Sequence, residues 1–199
     1  MQPIVQEITQ RLRRCGGSPV ALAVVTVLTF SLTHGPAAQA VDEDDLKRLI
    51  ETNECPGCDL READLRRLNL SGANLEGADL QEANFFYAVL DEANLSGADL
   101  RSTNFSYASA FNALFVGADL EQSLMNYADI SGAQMMEANF FEAYIHKTQF
   151  IGSQLQRSNF DATFVHDIDL TGADLCGSTY WGGNDYRRAC NSPVTDLEE

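Results

Sequence analysis

The stretch L-N-L-S-G-A-N-L-E-G-A-D-L-Q-E-A-N-F, from Leu68 to Phe85, is taken up again as D-E-A-N-L-S-G-A-D-L from Asp91 to Leu100. A large apolar residue returns at every fifth position: Leu70, Leu75, Leu80, Phe85, Leu90, Leu95 and Leu100. Ala73, Ala78, Ala83, Ala88, Ala93 and Ala98 sit two positions before a centre, and Asp or Asn usually stands between. A period of five matches neither the 3.6 of a helix nor the 2 of a strand. It marks an internal repeat, whose units bury their apolar faces only by stacking on one another.

The register runs without an insertion from Leu60 to Tyr180. Every centre is large and apolar except Ala110. The position two before is Ala, Ser or Thr except at Cys58, Leu68 and Ile168. This A-[DN]-L-x-x tandem resembles the pentapeptide-repeat family, and the match spans residues 56–180. The resemblance implies an all-β fold: a right-handed quadrilateral β-helix, a solenoid with one pentapeptide per side and about four per coil.

On that fold the centre and the small residue before it point inward. The large side chain fills the axis and the small one lets the walls approach. Residues 20 apart share a column at a strand spacing of about 4.8 Å, so six coils make a rod about 30 Å long. Gly72, Gly77, Gly97, Gly117, Gly132, Gly152, Gly172 and Gly177 each fall two after a centre, where a corner needs backbone angles that glycine adopts freely. Ala110 leaves room in its column, which the neighbouring Phe111 can partly fill. Leu68 and Ile168 share one column near its two ends, where cap and tail leave space for large residues.

Residues 1–40 read as a signal segment. Arg11, Arg13 and Arg14 make a basic start, and Pro19 to Leu32 is an apolar run shorter than the roughly 20 residues of a membrane span. Ala38-Gln39-Ala40 is a small-x-small site that places cleavage after Ala40. Residues 41–55 are expected to form a helical cap. Asp42 caps a helix over residues 41–53, with Leu46, Leu49 and Ile50 as its apolar stripe. Such a cap covers the open first coil. Residues 181–199 leave the repeat, and Trp181, Tyr186 and Val194 are expected to cover the last coil as a C-terminal capping tail.

Cleavage leaves four cysteines: Cys55, Cys58, Cys176 and Cys190. An even number in an exported chain points to disulfides. On the rod that the resemblance implies, two lie at its start and two at its end. Only the pairs Cys55–Cys58 and Cys176–Cys190 then bring Cα atoms within about 7 Å. The same separation excludes a four-cysteine zinc site. C-P-G-C also resembles a thiol–disulfide redox motif, but it follows a helix rather than opening one, and Cys58 takes an inward position.

The chain carries a net charge of −16 at pH 7. Nucleic acid and anionic membranes want a basic face, so neither is an expected partner. Part of the acidity comes with the repeat, which favours Asp before each centre. Catalytic motifs, phosphate loops and metal-binding signatures are absent from the sequence. No cofactor and no metal are expected. His146 and His166, 20 apart, are few for a metal site and read as solvated. Tyr87, Tyr107 and Tyr127, bordered by Phe86, should stack as an exposed ladder, a possible interaction face. The expected function is a non-enzymatic structural or protein-interaction module, exported to a periplasm or thylakoid lumen. The entry N-x-C-P-G-C-D-L, Asn53 to Leu60, resembles cyanobacterial members of the family. Two alternatives stand beside it: an acidic DNA-mimicking topoisomerase inhibitor and a CxxC thiol–disulfide oxidoreductase. The identity of the protein partner and the oligomeric state are open at this stage.

Overall fold

Three backbone hydrogen bonds per repeat join successive coils, one of them from the residue two after each centre, as Glu62 donates to Gln81 at 2.8 Å. The centre's N–H donates to a carbonyl 19 residues ahead, as Leu60 does to Asp79 at 2.7 Å and Leu80 to Asp99 at 2.8 Å. The residue before the centre donates back to the preceding coil, as Asp79 does to Cys58 at 2.9 Å. The resulting parallel bridges join residues 20 apart, from Glu54–Asn74 to Gln154–Asp174. Four pentapeptides therefore complete one coil, and successive coils stack. The computed structural model describes residues 41–179.

The four walls are named by their centres. Wall 1 is centred on Leu60 and the residues 20 apart from it, wall 2 on Leu65, wall 3 on Leu70 and wall 4 on Leu75. Most of each wall is a single bridged residue per coil. On wall 2 two short strands are continuous: β1 (Tyr144–His146) pairs in parallel with β2 (Phe164–His166).

The corners follow one rule. The small residue's N–H donates back to the centre three before it, as Ala63 does to Leu60 at 3.1 Å. The second turn residue is left-handed, the pattern of a type II turn. Gly97 has φ 65°, but so, within a few degrees, do Glu82 at 59° and Tyr107 at 60°. The sequence ties the unusual angle to glycine; the structure imposes it at every corner whatever residue stands there. A left-handed L-residue costs about 1–2 kcal/mol, so each non-glycine corner draws on the surrounding ladder.

The interior is a close-packed stack. Leu60, Leu75, Leu80, Leu95, Leu100 and Leu120 have no exposed surface. Phe85 and Phe105 stack at 4.9 Å between centroids, and Phe140 and Phe160 at 4.6 Å. Each fully buried Leu or Phe contributes about 1.5–3 kcal/mol. Leu68 and Ile168 are partly buried against the core. Ala110 is buried, but Phe111 does not fill the space beside it: as the first turn residue it points outward and is 47% exposed. Most inward Ser and Thr hydroxyls donate to nearby carbonyls, as Ser153 does to Phe150 at 2.8 Å. Ser123 Oγ is buried without a partner.

Helix α1 (Glu43–Thr52) covers the first coil. The Asp42 carboxylate accepts from the N–H groups of Asp44 and Asp45 at 3.0 and 3.1 Å, and Glu43, Asp44 and Asp45 complement the helix dipole. Asn53, left-handed at φ 62°, ends the helix by donating its N–H to Leu49 O. Leu49 is wholly buried and Leu46 packs beside it on the core. No helix among the described residues is long and apolar enough to cross a membrane. The proposed signal segment, cleavage after Ala40, and tail residues Trp181, Tyr186, Cys190 and Val194 lie outside the described residues.

Three substitutions test these points. A Cβ on Gly97 would meet nothing within 4 Å, so Gly97→Ala should lose about 1–2 kcal/mol through backbone conformation alone. Its counterpart Glu82→Gly should be neutral or up to about 1 kcal/mol more stable. Ser123→Ala should be neutral or stabilising by about 1 kcal/mol, since it removes an unpaired buried hydroxyl. Chemical denaturation midpoints read all three.

Candidate interaction wall

The turn chemistry fixes which residues reach solvent. The residue before each centre lies on the wall's outer side, and the two turn residues follow it. Asp or Asn before the centre accepts from the first turn residue's N–H, as Asp79 does from Gln81 at 3.3 Å and Asn84 from Phe86 at 3.1 Å. This local bond is why the repeat favours those two residues.

Wall 1 is the acidic wall. Asp59, Asp79, Asp99 and Asp119 follow one another up a column. An arginine relieves their repulsion at the first and third of the three steps. Arg61 Nε donates to Asp59 at 2.8 Å and lies 3.5 Å from Asp79; Arg101 Nε donates to Asp99 at 2.8 Å and lies 3.8 Å from Asp119. Above them Asn139 donates to Asp119, Asn159 to Asn139 and Thr179 to Asn159, each at 2.9 Å. The hydrogen bond from Arg61 holds the Asp59 carboxyl below its ordinary range. Burial pushes the Asp99 carboxyl up, and the hydrogen bonds from Arg101 overcome this, so its net direction is also down. Wall 3 carries Asp91, Glu92, Asp129 and Asp169 without a cation, and wall 4 carries Glu54, Glu76, Glu137 and Asp174 against Arg157.

Wall 2 differs in both charge and chemistry. It carries Asp64 and Asp167 against Arg66, Arg67 and Lys147. Tyr87, Tyr107 and Tyr127 stand at its second turn position, 41–47% exposed. Their rings stack at 4.8 and 4.9 Å, within 16° and 4° of parallel. Phe86 meets Tyr87 and Tyr107 edge-on at 4.6 and 5.7 Å. Lys147 caps the column, its Nζ 5.6 Å from the Tyr127 centroid. Because the ring faces cover one another, the column offers a partner its edges and hydroxyls.

The wall extends beyond the residues singled out in the sequence. His146 lies edge-on to Tyr127 at 5.5 Å and stacks on His166 at 5.1 Å. Next to them Tyr144 stacks on Phe164 at 4.8 Å, both more than half exposed, with Leu124 below. These three stand where the repeat wants Asp or Asn. That substitution and its 20-residue spacing are visible in the sequence, but the three residues differ in type and so do not stand out as a ladder. Among the described residues, six of the eight exposed large hydrophobic residues, all but Phe111 and Ile151, belong to wall 2.

Cys55 and Cys58 form a disulfide with Cα atoms 5.4 Å apart, beneath α1 and almost fully buried. Asp45 lies close to both sulfurs, the single three-ligand grouping among the described residues. With the sulfurs joined to each other it has no thiolate to offer a metal. Arg48 of α1 reaches Cys58 Sγ. Cys176 is also disulfide-bonded; a bond to Cys190 would involve a residue outside those described.

The repeat, the four-step coil and the corner rule coincide with one known pattern. The model of pentapeptide repeats matches in eight copies, over residues 55–81, 78–115, 104–140 and 138–177. The chain belongs to the pentapeptide-repeat family. Its members fold as right-handed quadrilateral β-helices. Among solved structures, the chain is similar to a pentapeptide-repeat protein of the Arabidopsis thaliana thylakoid lumen. The two are 34% identical over 45% of this chain and 63% of that one, with a TM-score of 0.45. It is also similar to Rfr23 from the cyanobacterium Cyanothece 51142, at 26% identity over 66% of this chain and 94% of that one, TM-score 0.47. QnrB1, a plasmid-mediated fluoroquinolone resistance protein, is 21% identical over 55% of this chain and 68% of that one, TM-score 0.32. The chain thus spans less than two thirds of the Arabidopsis protein's length. No curated protein matches it.

Peptide mapping under non-reducing conditions should link Cys176 to Cys190 and Cys55 to Cys58. A peptide joining Cys55 or Cys58 to Cys176 or Cys190 would contradict both the pairing and the stacked-coil order.

Proposed function

We propose that this pentapeptide-repeat protein is a non-enzymatic interaction module, exported from the cytoplasm to a periplasm or thylakoid lumen, which binds protein through wall 2. The observation that carries the reading is the segregation of that wall. In a chain of net charge −16, it is the wall on which cations outnumber carboxylates, and it gathers most of the exposed aromatic surface. Aromatic side chains with a polar tip favour interfaces because they supply area at small entropic cost. The coils wind right-handed as in the family, over residues 56–180, between the helical cap 41–55 and the capping tail 181–199. Export rests on the N-terminal pattern of residues 1–40, cleaved after Ala40.

The alternatives find less support. A thiol–disulfide oxidoreductase needs a sulfur that a substrate can reach, and Cys55 and Cys58 are 0% and 1% exposed. A DNA-mimicking topoisomerase inhibitor acts where DNA is, whereas the pattern of residues 1–40 points to export.

The test is the triple variant Tyr87→Ser, Tyr107→Ser and Tyr127→Ser, in the protein purified from the compartment it reaches. It should keep most of its stability and lose a captured partner that the parent retains. A variant that melts much lower yet captures everything the parent does would make the ladder structural. The same purified chain should begin at Val41; one that retains residues 1–40 would remove the export reading.

A further inference from the structure

The central column of wall 2 reads, from the capped end upward, Arg67, Tyr87, Tyr107, Tyr127, Lys147 and Asp167. All six residues are left-handed, with φ between 52° and 60°. The backbone therefore fixes them in one row at the coil spacing, about 24 Å from end to end.

The row has a cation at one end and a carboxylate at the other, with aromatic rings between. Turned end for end, it complements itself. A two-fold axis lying in the wall and perpendicular to the stack sets the column of one copy against the same column of another, reversed. Arg67 then faces Asp167, Tyr87 faces Lys147, and Tyr107 faces Tyr127. Each opposition is favourable: an ion pair at the ends, Lys147 donating to the Tyr87 hydroxyl, and Tyr107 meeting Tyr127 edge to edge. In the adjoining column Phe86 comes opposite His146, and Ser106 opposite Asn126, whose polar groups can hydrogen-bond. The parallel alternative, with the axis along the stack, sets Asp167 against Phe164 and leaves that carboxylate only the Lys147 of its own chain, 4.0 Å away, with no cation from the partner.

Charge also selects the face. Walls 1, 3 and 4 are net acidic, so two copies meeting on any of them repel. On these grounds the geometry points to a second copy of this chain as the occupant of wall 2, docked antiparallel through the column from Arg67 to Asp167. This rests on the reading of wall 2 as an interaction face and names its partner. The wall is one pentapeptide wide, which is less than the roughly 800 Å² per partner of a standard interface. The dimer is accordingly weak, with a dissociation constant of roughly 10 µM to 1 mM. The tyrosine rings are already held by stacking on one another, so little is lost in fixing them.

Sedimentation equilibrium on the purified chain, taken through the millimolar range, tests this with two charge reversals, Arg67→Asp and Asp167→Arg. Each alone places like charges at both ends of the interface and should weaken association about tenfold or more. An equimolar mixture of the two variants restores opposite charges at both ends and should associate as a heterodimer at least as well as the parent. Both positions are exposed turn residues, and unchanged melting curves establish that the variants are folded. A parent that stays monomeric, an Asp167→Arg variant that associates like the parent, or a mixture no better than its components overturns the proposal. In each case the interaction-wall reading is judged separately: loss of a foreign partner by the triple tyrosine variant would sustain it with another occupant.

Discussion

Everything in this molecule depends on a hydrogen bond with a fixed stride. Because the centre of each pentapeptide donates to a carbonyl 19 residues ahead, any insertion within the repeat would shift every later column. The stride converts sequence distance into spatial neighbourhood. Residues 20 apart stack, and residues five apart lie on adjacent walls. A side chain therefore has its closest outer neighbours one coil above and below, and the surface is a set of ladders. Identical neighbours are favourable where they stack, as with Phe85 on Phe105, and costly where they are charged. Wall 1 shows the second case, with Arg61 and Arg101 each reaching two carboxylates in successive coils.

The ends of such a stack are its weak points, since the first coil has no neighbour below. Helix α1 supplies one. It is a short helix with a strong cap at each terminus, Asp42 and Asn53, which matters because a helix of ten residues is marginal alone. Its buried Leu49 continues the apolar column of the rod. The Cys55–Cys58 disulfide lies at the junction, and Arg48 reaches back from the helix to the sulfur of Cys58. Helix, disulfide and first coil thus share contacts. Most buried Ser and Thr in the small position satisfy themselves locally, which is why they can replace Ala there. Ser123 is an exception.

The repeat, its centre and the helix cap were legible because each is written in local sequence: a period of five, an Asp before an acidic turn, an i, i+3, i+4 stripe. The tyrosine ladder was also legible, since one residue type recurs at the coil length. The remainder of wall 2 was not. Leu124, Tyr144 and Phe164 stand 20 apart, in a slot that usually holds Asp or Asn, but three different residue types do not stand out as a ladder the way three tyrosines do. Charge segregation was hidden as well. Net charge is a sum over the chain, whereas the walls sample every fourth pentapeptide. The outward position of Phe111 was missed because the sequence does not say which way a residue next to an undersized centre will turn; the type II turn decides it.

The distribution of glycine carries the argument for wall 2 one step further. Every corner is left-handed, so glycine is the least costly residue at each of them. Yet among the described residues the corner glycines, Gly57 through Gly177, all follow centres of walls 3 and 4, and none follows a centre of wall 1 or wall 2. Both long edges of wall 2 are therefore bordered by corners that carry side chains. Along one edge run Arg67, the three tyrosines, Lys147 and Asp167; along the other run Glu62, Glu82, Ser102, Gln122, Glu142 and Ala162. Stacking returns about 0.5–1.5 kcal/mol for each of the two tyrosine pairs, less than the strain of about 1–2 kcal/mol at each of the three left-handed corners. The ladder is thus no gain that stability alone would select. A side chain held at a strained position with no net stabilisation is best accounted for by what it presents to solvent, and here that is a rigid row of aromatic edges and hydroxyls ending in opposite charges.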